Sequence, residues 1–298
     1  MYFKNVVTCG LAMLMSVCAF AQLNILNAKT PEEIGVKTED RIEYDNDRPL
    51  PYGYVDDRDV LWSRTTWEII DLDQRVNFPL YYPIDTNNIG ADRRSLYDVI
   101  VKNVKNGRIE NVYADSYFTE QRTLKDIEAS LVYSDTTDLG IEQFNAEGKV
   151  DKQYIRRFTL DAGDIEEWRV RGFWYVDKRQ GELKYRLLGI CPVANEARSK
   201  AFPDAGDAKV ELFWVWFPGA REVLHEAKAF NNKNTSQPIS YDHLLNSRRF
   251  AGVIYKEDNV QGDRQVEDYI NDNALMQLME SDRIRDRIRN IEMDLWNY

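Results

Sequence analysis

The stretch that decides the fold is FWYVDKRQGELKYRLLGICP, residues 173–192. Two runs rich in aromatic and aliphatic residues flank the polar patch DKRQGE, in which Gly181 offers the permissive backbone of a tight turn. In the second run, apolar residues at odd positions alternate with basic residues at even positions from 183 to 187. A period of two is typical of a β-strand with one buried side. The stretch therefore predicts a long antiparallel β-hairpin.

The rest of the chain alternates between strand-like and helix-like segments. The segments predicted to be extended are WEIID (67–71), NFPLYYP (77–83), RIENVYADSYF (108–118), AKVELFWVWFP (208–218) and GVIYKEDN (252–259). The segments predicted to be helical are SLYDVIVKNVKNG (95–107), TLKDIEASL (123–131), GAREVLHEAKAF (219–230), SYDHLLNSRR (240–249) and residues 264–296. Ser95 is the predicted N-cap of its helix and Gly107 the stop signal. Residues 134–152 are polar and predict a loop.

The most hydrophobic segment, residues 208–218, predicts a single strand that is apolar on both sides. Its even-numbered residues, Trp214 and Trp216 among them, face one way, and Val215 faces the other. Such a strand is usually central and covered on both sides. The alternative is an exposed aromatic patch that binds a partner.

Together these segments predict an α+β fold, with an aromatic-rich, mainly antiparallel sheet and flanking helices. A weak internal echo suggests two related halves at 59–150 and 151–298, with chance similarity as the alternative. It matches PLYYP with the hairpin end LLGICP, SLYDVI with SYDHLL, and the Tyr-containing strand NVYADSYF with GVIYKEDN. In the last helix Ile284, Ile288, Ile291 and Leu295 are spaced 4, 3 and 4 apart. That stripe predicts packing on the chain's own domain, with docking onto another subunit as the alternative.

The N-terminus indicates export. Residues 1–21 combine Lys4, an apolar run and the small residues Ala19 and Ala21, the pattern of a signal peptide cleaved between Ala21 and Gln22. Residues 22–58 are polar and contain three prolines, which predicts an extended arm before an α+β domain at 59–298. No later stretch is long and apolar enough to predict a membrane span.

Composition argues against several classes of protein. The chain of 298 residues has a formal net charge of −11, which disfavours nucleic acid and anionic lipid as partners. After removal of the signal peptide, Cys191 is the one remaining cysteine, and we expect it to be a buried small residue rather than a reactive thiol.

No segment has the pattern of a reaction centre. His225 and His243 do not form a metal-binding motif, and neither a phosphate loop nor a nucleophile elbow is present. We therefore predict no catalytic residue, no metal and no cofactor. A pair of catalytic carboxylates brought together only by the fold is the alternative that sequence leaves open.

Five segments resemble the GldN/PorN family, the N component of the gliding and type IX secretion machinery. They are RPLPYGYVDDRDVLWSRTTWEIIDLDQRVNFPLYYP, the hairpin end RLLGICP, KVELFWVWFPGAREVLHEAKAFNNKN, YDHLLNSRRFAGVIYKEDNVQGDRQVEDYI and ESDRIRDRIRNIEMDLWNY. They follow one another over most of the chain from about residue 48 onward.

The resemblance implies a periplasmic, non-enzymatic structural subunit that belongs to the type IX protein secretion and gliding motility apparatus. In that family the subunit is peripheral to the outer membrane through the lipoprotein GldK/PorK, with which it builds a ring by self-association. The GldL–GldM motor reaches the ring, and the periplasmic part of GldM/PorM contacts it. The alternative function is a periplasmic ligand-binding or glycan-processing domain.

A ring subunit needs aromatic surfaces for its partners. The candidate surfaces are the arm, the face of the 208–218 strand and the end of the last helix. Their candidate residues are Pro49, Pro51, Tyr52, Tyr54, Trp62, Trp214, Trp216, Trp296 and Tyr298.

Overall fold

A computed structural model describes residues 30, 47–85, 93–202, 208–231, 233–234, 238–271 and 273–295. Apart from residue 30 and Asp47, these residues belong to one unit, made of Arg48–Asn87 and Arg93–Tyr298. The predicted signal peptide, with its cleavage site at Ala21 and Gln22, lies outside the described residues. No described helix is long and apolar enough to cross a membrane.

The described residues form both helices and strands. The strands are β1 (Val60–Asp71), β2 (Val112–Tyr113), β3 (Val132–Thr136), β4 (Ile155–Thr159), β5 (Ile165–Asp177), β6 (Glu182–Asn195), β7 (Lys209–Glu211), β8 (Trp214–Trp216), β9 (Lys228–Ala229), β10 (Ile239–Ser240) and β11 (Val253–Glu257). The helices are α1 (Phe78–Tyr81), α2 (Leu96–Lys105), α3 (Leu124–Leu131), α4 (Asp138–Glu147), α5 (Phe217–Glu226), α6 (Tyr241–Asn246), α7 (Val266–Tyr269) and α8 (Ala274–Leu295). The predicted α+β class is confirmed.

The hairpin at 173–192 is the middle of the main sheet. This sheet has the strand order β11-β1-β5-β6-β8-β2, with β7 also pairing with β6, and every pairing in it is antiparallel. Gly181 ends the connecting turn with φ +64°, a conformation that a side chain would strain. Two further pairs, β3–β4 and β9–β10, form separate two-stranded sheets.

One side of the main sheet is covered by helices. Paired residues of neighbouring strands share a side, and Ile70, Val170 and Ile190 face a core that α2, α5 and α6 complete. Ser95 caps α2 by accepting a hydrogen bond from the Asp98 backbone, as predicted. The other side carries Trp67 and Cys191, and the chain after β2 packs on it.

Two glycines let aromatic rings lie directly on the hairpin. A Cβ built on Gly172 would come within 2.2 Å of the Tyr185 ring. Gly189 pairs with Arg171 and lies on the opposite side of the sheet from Gly172. A Cβ built on Gly189 would come within 2.5 Å of the Phe118 ring. Phe118 itself has φ +61° at the tip of the chain that follows β2. Both glycines are therefore needed for packing, because the lack of a side chain makes room for an aromatic ring.

Five segments differ from the predictions. Residues 108–118 were predicted to be extended, but only Val112–Tyr113 is a strand and residues 114–117 form a turn. Residues 219–230 were predicted to be helical, but α5 ends at Glu226 and Lys228–Ala229 is β9. Residues 77–83 were predicted to be extended, but Phe78–Tyr81 is helical, because Pro79 fits the first turn of a helix. Residues 134–152 were predicted to be a loop, but they contain β3 and α4. The predicted strand at 208–218 is split into β7 and β8, because its pairing with β6 shifts by one residue between Glu211 and Val215.

The hypothesis of two related halves loses one of its correspondences. It matched residues 77–83 with the end of β6, yet the first is helical and the second is a strand. The two Tyr-containing strands that the hypothesis matched are β2 and β11. They do not occupy equivalent places, because they lie at opposite ends of the sheet order.

The last helix packs on its own domain, as predicted. Ile284 and Ile288 of α8 are buried against Ile254 of β11 and Val266 of α7. Ser281 fixes the register, since its hydroxyl accepts a hydrogen bond from the Ile254 amide at 2.8 Å.

Gly172→Ala is expected to destabilise the fold by about 2–3 kcal/mol, because the new methyl overlaps the Tyr185 ring in a packed core. The free energy of unfolding in urea measures the effect. Gly53→Ala is the matched control, since its Cβ would meet nothing within 4 Å. Equal stability of the two variants would show that the Tyr185 ring does not require a glycine at position 172.

Candidate partner-binding surfaces

Residues 48–56, here called the N-terminal strap, lie on the domain without forming a helix or a strand. Tyr52 is their anchor. Its ring lies between two guanidinium groups, 4.1 Å from that of Arg221 and 4.7 Å from that of Arg186. Its hydroxyl donates a hydrogen bond to Asn246 Oδ1 at 2.8 Å. Burial raises the pKa of Tyr52, so the hydroxyl keeps the proton that it donates.

The strap is also held through its backbone. Arg186 Nη2 donates to the Gly53 carbonyl at 3.1 Å, and Arg179 Nη2 donates to the Tyr54 carbonyl at 3.0 Å. The slot that receives Tyr52 is itself fixed, because Arg221 forms two hydrogen bonds with the buried carboxylate of Asp242 at 2.8 and 3.1 Å. Arg221 is therefore held in position by Asp242 and not only by its contact with Tyr52.

Neighbouring strap residues point away from the domain. Leu50 and Tyr54 flank Tyr52 at a spacing of two residues and are 82% and 81% exposed. Pro51 is exposed and Pro49 is half-buried. The arm was predicted to be extended, and its residues 48–56 are irregular but rest on the chain's own domain. Two large apolar side chains of this segment, Leu50 and Tyr54, are therefore exposed to solvent.

Trp62 lies at the other candidate surface, beside α8. It is half-buried and lines an open groove of about 270 Å³ together with the isoleucines at 284, 288 and 291. Charged residues complete the lining: Arg64, Glu257, Arg287 and Asp294. Arg64 and Arg287 both pair with Glu257, at 4.0 and 3.1 Å. Trp296 and Tyr298, predicted to lie near this end of the helix, are outside the described residues.

The structure corrects the prediction for Trp214. Its side chain is fully buried against Trp67 and Cys191, and its Nε1 donates to Glu211 at 2.6 Å, so it is a core residue and not a surface for a partner. This agrees with the expectation of a strand covered on both sides. Trp216 shares the same side of the sheet but is half-buried, with its ring 4.8 Å from that of Phe118.

Two exposed apolar surfaces had escaped the sequence analysis. The first two turns of α8 expose Leu275, Met276, Leu278 and Met279, and α4 exposes Leu139, Ile141 and Phe144. The first was hidden because only the stripe facing the domain was counted. The second fell in the segment interpreted as a loop, although Thr137 and Gly148 are ordinary helix start and stop signals.

The groups with catalytic potential are dispersed. In the part of the chain that the structure describes, no three His, Cys, Asp or Glu residues are placed to hold a metal ion. Cys191 is completely buried, and burial raises the pKa of its thiol well above the usual range. His243 is an exposed residue of α6, and His225 lies in α5.

These features define an α+β protein whose antiparallel sheet supports several exposed surfaces. A family model described as "Gliding motility associated protein GldN" matches residues 55–297. The match spans most of the chain, so this protein belongs to the GldN family, a structural component of gliding motility and not a known enzyme family. A comparison with curated protein sequences finds no match.

Tyr52→Ala is expected to release the strap, because it removes two cation–π contacts of about 0.5–2 kcal/mol each and the hydrogen bond to Asn246. Trypsin should then cut faster after Arg58, as followed by mass spectrometry. Tyr54→Ala is the control, since that side chain is exposed. Equal cleavage of both variants would contradict the anchor.

Cys191 is expected to resist alkylation in the folded chain that begins at Gln22. Because its folded pKa is raised, the thiol stays protonated at about pH 8, and the thiolate is the reactive form. Iodoacetamide should label it only after unfolding in urea, as read by intact mass. Rapid labelling of the native chain would contradict this account.

Proposed function

We propose that this chain is a non-enzymatic structural subunit of the type IX protein secretion and gliding motility apparatus. It works in the periplasm, peripheral to the outer membrane, where it forms a ring with the GldK/PorK lipoprotein and contacts the GldL–GldM motor through the periplasmic part of GldM/PorM. The family match over residues 55–297 carries the proposal.

Two further observations support it. The first 21 residues have the pattern of a signal peptide, which fits a periplasmic location. The described surface offers separate apolar patches, on the strap, on α4 and on α8, and a ring subunit needs more than one patch to contact two neighbours and other components.

The strap is our candidate for contact with the lipoprotein. It is anchored at one residue and exposes large apolar side chains on both sides of that residue. A segment that is already ordered loses less conformational entropy on binding than a disordered one. Pro49, Pro51 and Tyr54 therefore stay in the proposed interface, with Tyr52 as the internal anchor that holds them in position.

The alternative, a periplasmic ligand-binding or glycan-processing domain, needs a deep pocket with aromatic walls and convergent polar groups. The groove beside α8 is open, and Trp62 is the one aromatic residue in its lining. Its Glu257 is engaged by two arginines. This geometry favours the structural function.

The test is to mix the chain from Gln22 onward with the soluble part of the GldK/PorK lipoprotein and to measure mass by light scattering after size exclusion. A stable co-complex larger than either component is expected. Leu50→Ser/Tyr54→Ser should weaken it by about tenfold in Kd, because both side chains are exposed in the free chain. Val260→Ser is the matched control, because Val260 is fully exposed and lies outside the strap, α4 and α8.

Separate peaks at high concentration would contradict the proposed partnership. A co-complex that neither variant weakens would support the function but remove the strap from the interface.

A further inference from the structure

The small sheet of β3 and β4 has an open edge. In the part of the chain that the structure describes, β3 is the only strand that pairs with β4. Ile155 is 40% exposed, and Arg156, Arg157 and Thr159 are exposed as well. A strand edge with unpaired N–H and C=O groups is a template on which a further strand can form.

The hydrogen bonds of this sheet show which backbone groups point outward. The Leu160 amide donates to the Leu131 carbonyl at 2.9 Å. Bonded and non-bonded pairs alternate in an antiparallel ladder, so Ile155, Arg157 and Thr159 direct their backbone groups away from β3. A lysine side chain takes the Thr159 carbonyl. The N–H and C=O groups of Ile155 and Arg157 are left for a partner strand.

The outer strands of the main sheet are covered, in contrast to β4. On β11, the Ile254 amide donates to the Ser281 hydroxyl. On β2, Tyr113 forms a bridge with Gln121. The open edge of β4 is therefore an exception among the described sheets.

The arm of this chain contains a segment whose sequence fits such an edge. Residues 41–45, RIEYD, alternate between charged and apolar residues, which is the period-two pattern of a strand. They belong to the part of the arm, residues 31–46, that lies outside the described residues. If Glu43 is placed opposite Arg157, the two apolar residues of the segment fall on the side of the half-buried Phe158.

Charge favours the arm over a second β4 edge. Arg156 stands opposite Asp135 in the β3–β4 pair, whereas Arg157 stands opposite the uncharged Ser134. Arg157 is therefore the cation that an acidic strand can meet. Residues 31–46 contain six carboxylates and two cations. Two β4 edges placed together would instead bring the arginines of both copies side by side, which is unfavourable.

The strap and β4 lie near opposite ends of β6. Tyr52 anchors the strap beside Arg186, close to the start of β6. Lys200 joins Thr159 to Asp164, through a hydrogen bond to the carbonyl of the first and an ion pair with the carboxylate of the second. Asp164 precedes β5, whose first residue pairs near the end of β6. The two places are thus about eight strand residues, or about 26 Å, apart along β6.

This separation favours an arm from another copy. Seven residues lead from Asp45 to Tyr52, and they cover at most about 25 Å when fully stretched. An arm bound to the β4 edge of its own copy would therefore have no slack. The arm of a second copy can approach the edge without that limit.

We propose that the β4 edge binds residues 41–45 of a neighbouring copy of this chain as an added strand. Donor and acceptor are then different surfaces, so the contact is head-to-tail, the arrangement that can close a ring. The inference rests on the proposed function for the ring and deepens it, because it names the contact that joins neighbouring subunits.

The test measures self-association of the chain from Gln22 onward by sedimentation velocity, without the lipoprotein. The native chain should form concentration-dependent oligomers. Glu43→Lys and Arg157→Glu, each alone, should weaken association by at least about tenfold in Kd, because like charges then meet across the pair. Lys178→Glu is the matched control and should associate like the native chain, since it makes the same change of charge at an exposed residue of the hairpin turn.

Mixing the two variants tests whether the contact joins different copies. Glu43→Lys chains and Arg157→Glu chains should associate with each other, because opposite charges then meet at every contact of an alternating oligomer. Thermal unfolding should confirm that both variants are folded. A mixture as weak as its components would overturn the proposal, as would a monomeric native chain or variants that associate normally.

The lipoprotein experiment separates this contact from the proposed function. A co-complex with the lipoprotein, formed by a chain whose self-association fails the test, would overturn the strand contact alone. Self-association that passes the test without a co-complex would support the strand contact and contradict the proposed function.

Discussion

The buried ion pair between Glu68 and Arg248 is the contact on which the architecture depends. The two side chains form paired hydrogen bonds of 2.9 and 2.8 Å, and the Glu68 side chain is 1% exposed. Arg248 has φ +51°, and its guanidinium lies over the Tyr185 and Trp174 rings. The pair thus fixes the turn after α6 to the centre of β1. Because that turn leads into β11, which carries α8, loss of Glu68 would leave a buried charge costing about 3–5 kcal/mol and would loosen the edge of the sheet.

Sequence could predict the elements whose signals are local. The hairpin has its alternation and Gly181, and α2 has both Ser95 and a buried stripe. The helix α4 was missed although Thr137 and Gly148 mark its ends, because it packs through Gly140, beside the side chains of Thr136 and Tyr154, and has no apolar stripe on the domain. The break between β7 and β8 is a one-residue shift in their pairing with β6, and that pairing is set by the fold rather than by the local sequence. Glu68 and Arg248 are 180 residues apart, so no window of sequence reveals their pairing.

The candidate surfaces show the same division. The aromatic content of residues 48–54 indicated a recognition segment, but the slot for Tyr52 comes from β6, α5 and α6 together. From hydrophobicity alone, Trp214 and Trp216 were both predicted to be interface residues, whereas in the structure Trp214 is fully buried and Trp216 is half-buried. On α8 the isoleucine stripe was predicted from its spacing. The exposed residues at the start of the helix, Leu275 to Met279, were missed because a periodicity argument searches for one apolar side only.

The Tyr52 slot has a mechanical consequence. Residues 53–59 connect the anchored tyrosine to β1, and they are held by Arg186 at the Gly53 carbonyl and by Arg179 at the Tyr54 carbonyl and the Asp59 carboxylate. Tension applied to the chain before residue 48 reaches Tyr52 first, and the two arginines deliver that load to β6 and α5. The ladder between β1 and β5 carries tension only after the contacts of Tyr52 and those of Gly53, Tyr54 and Asp59 have broken. The strap contacts therefore protect the first pairs of β1 with β5 from tension on the preceding chain.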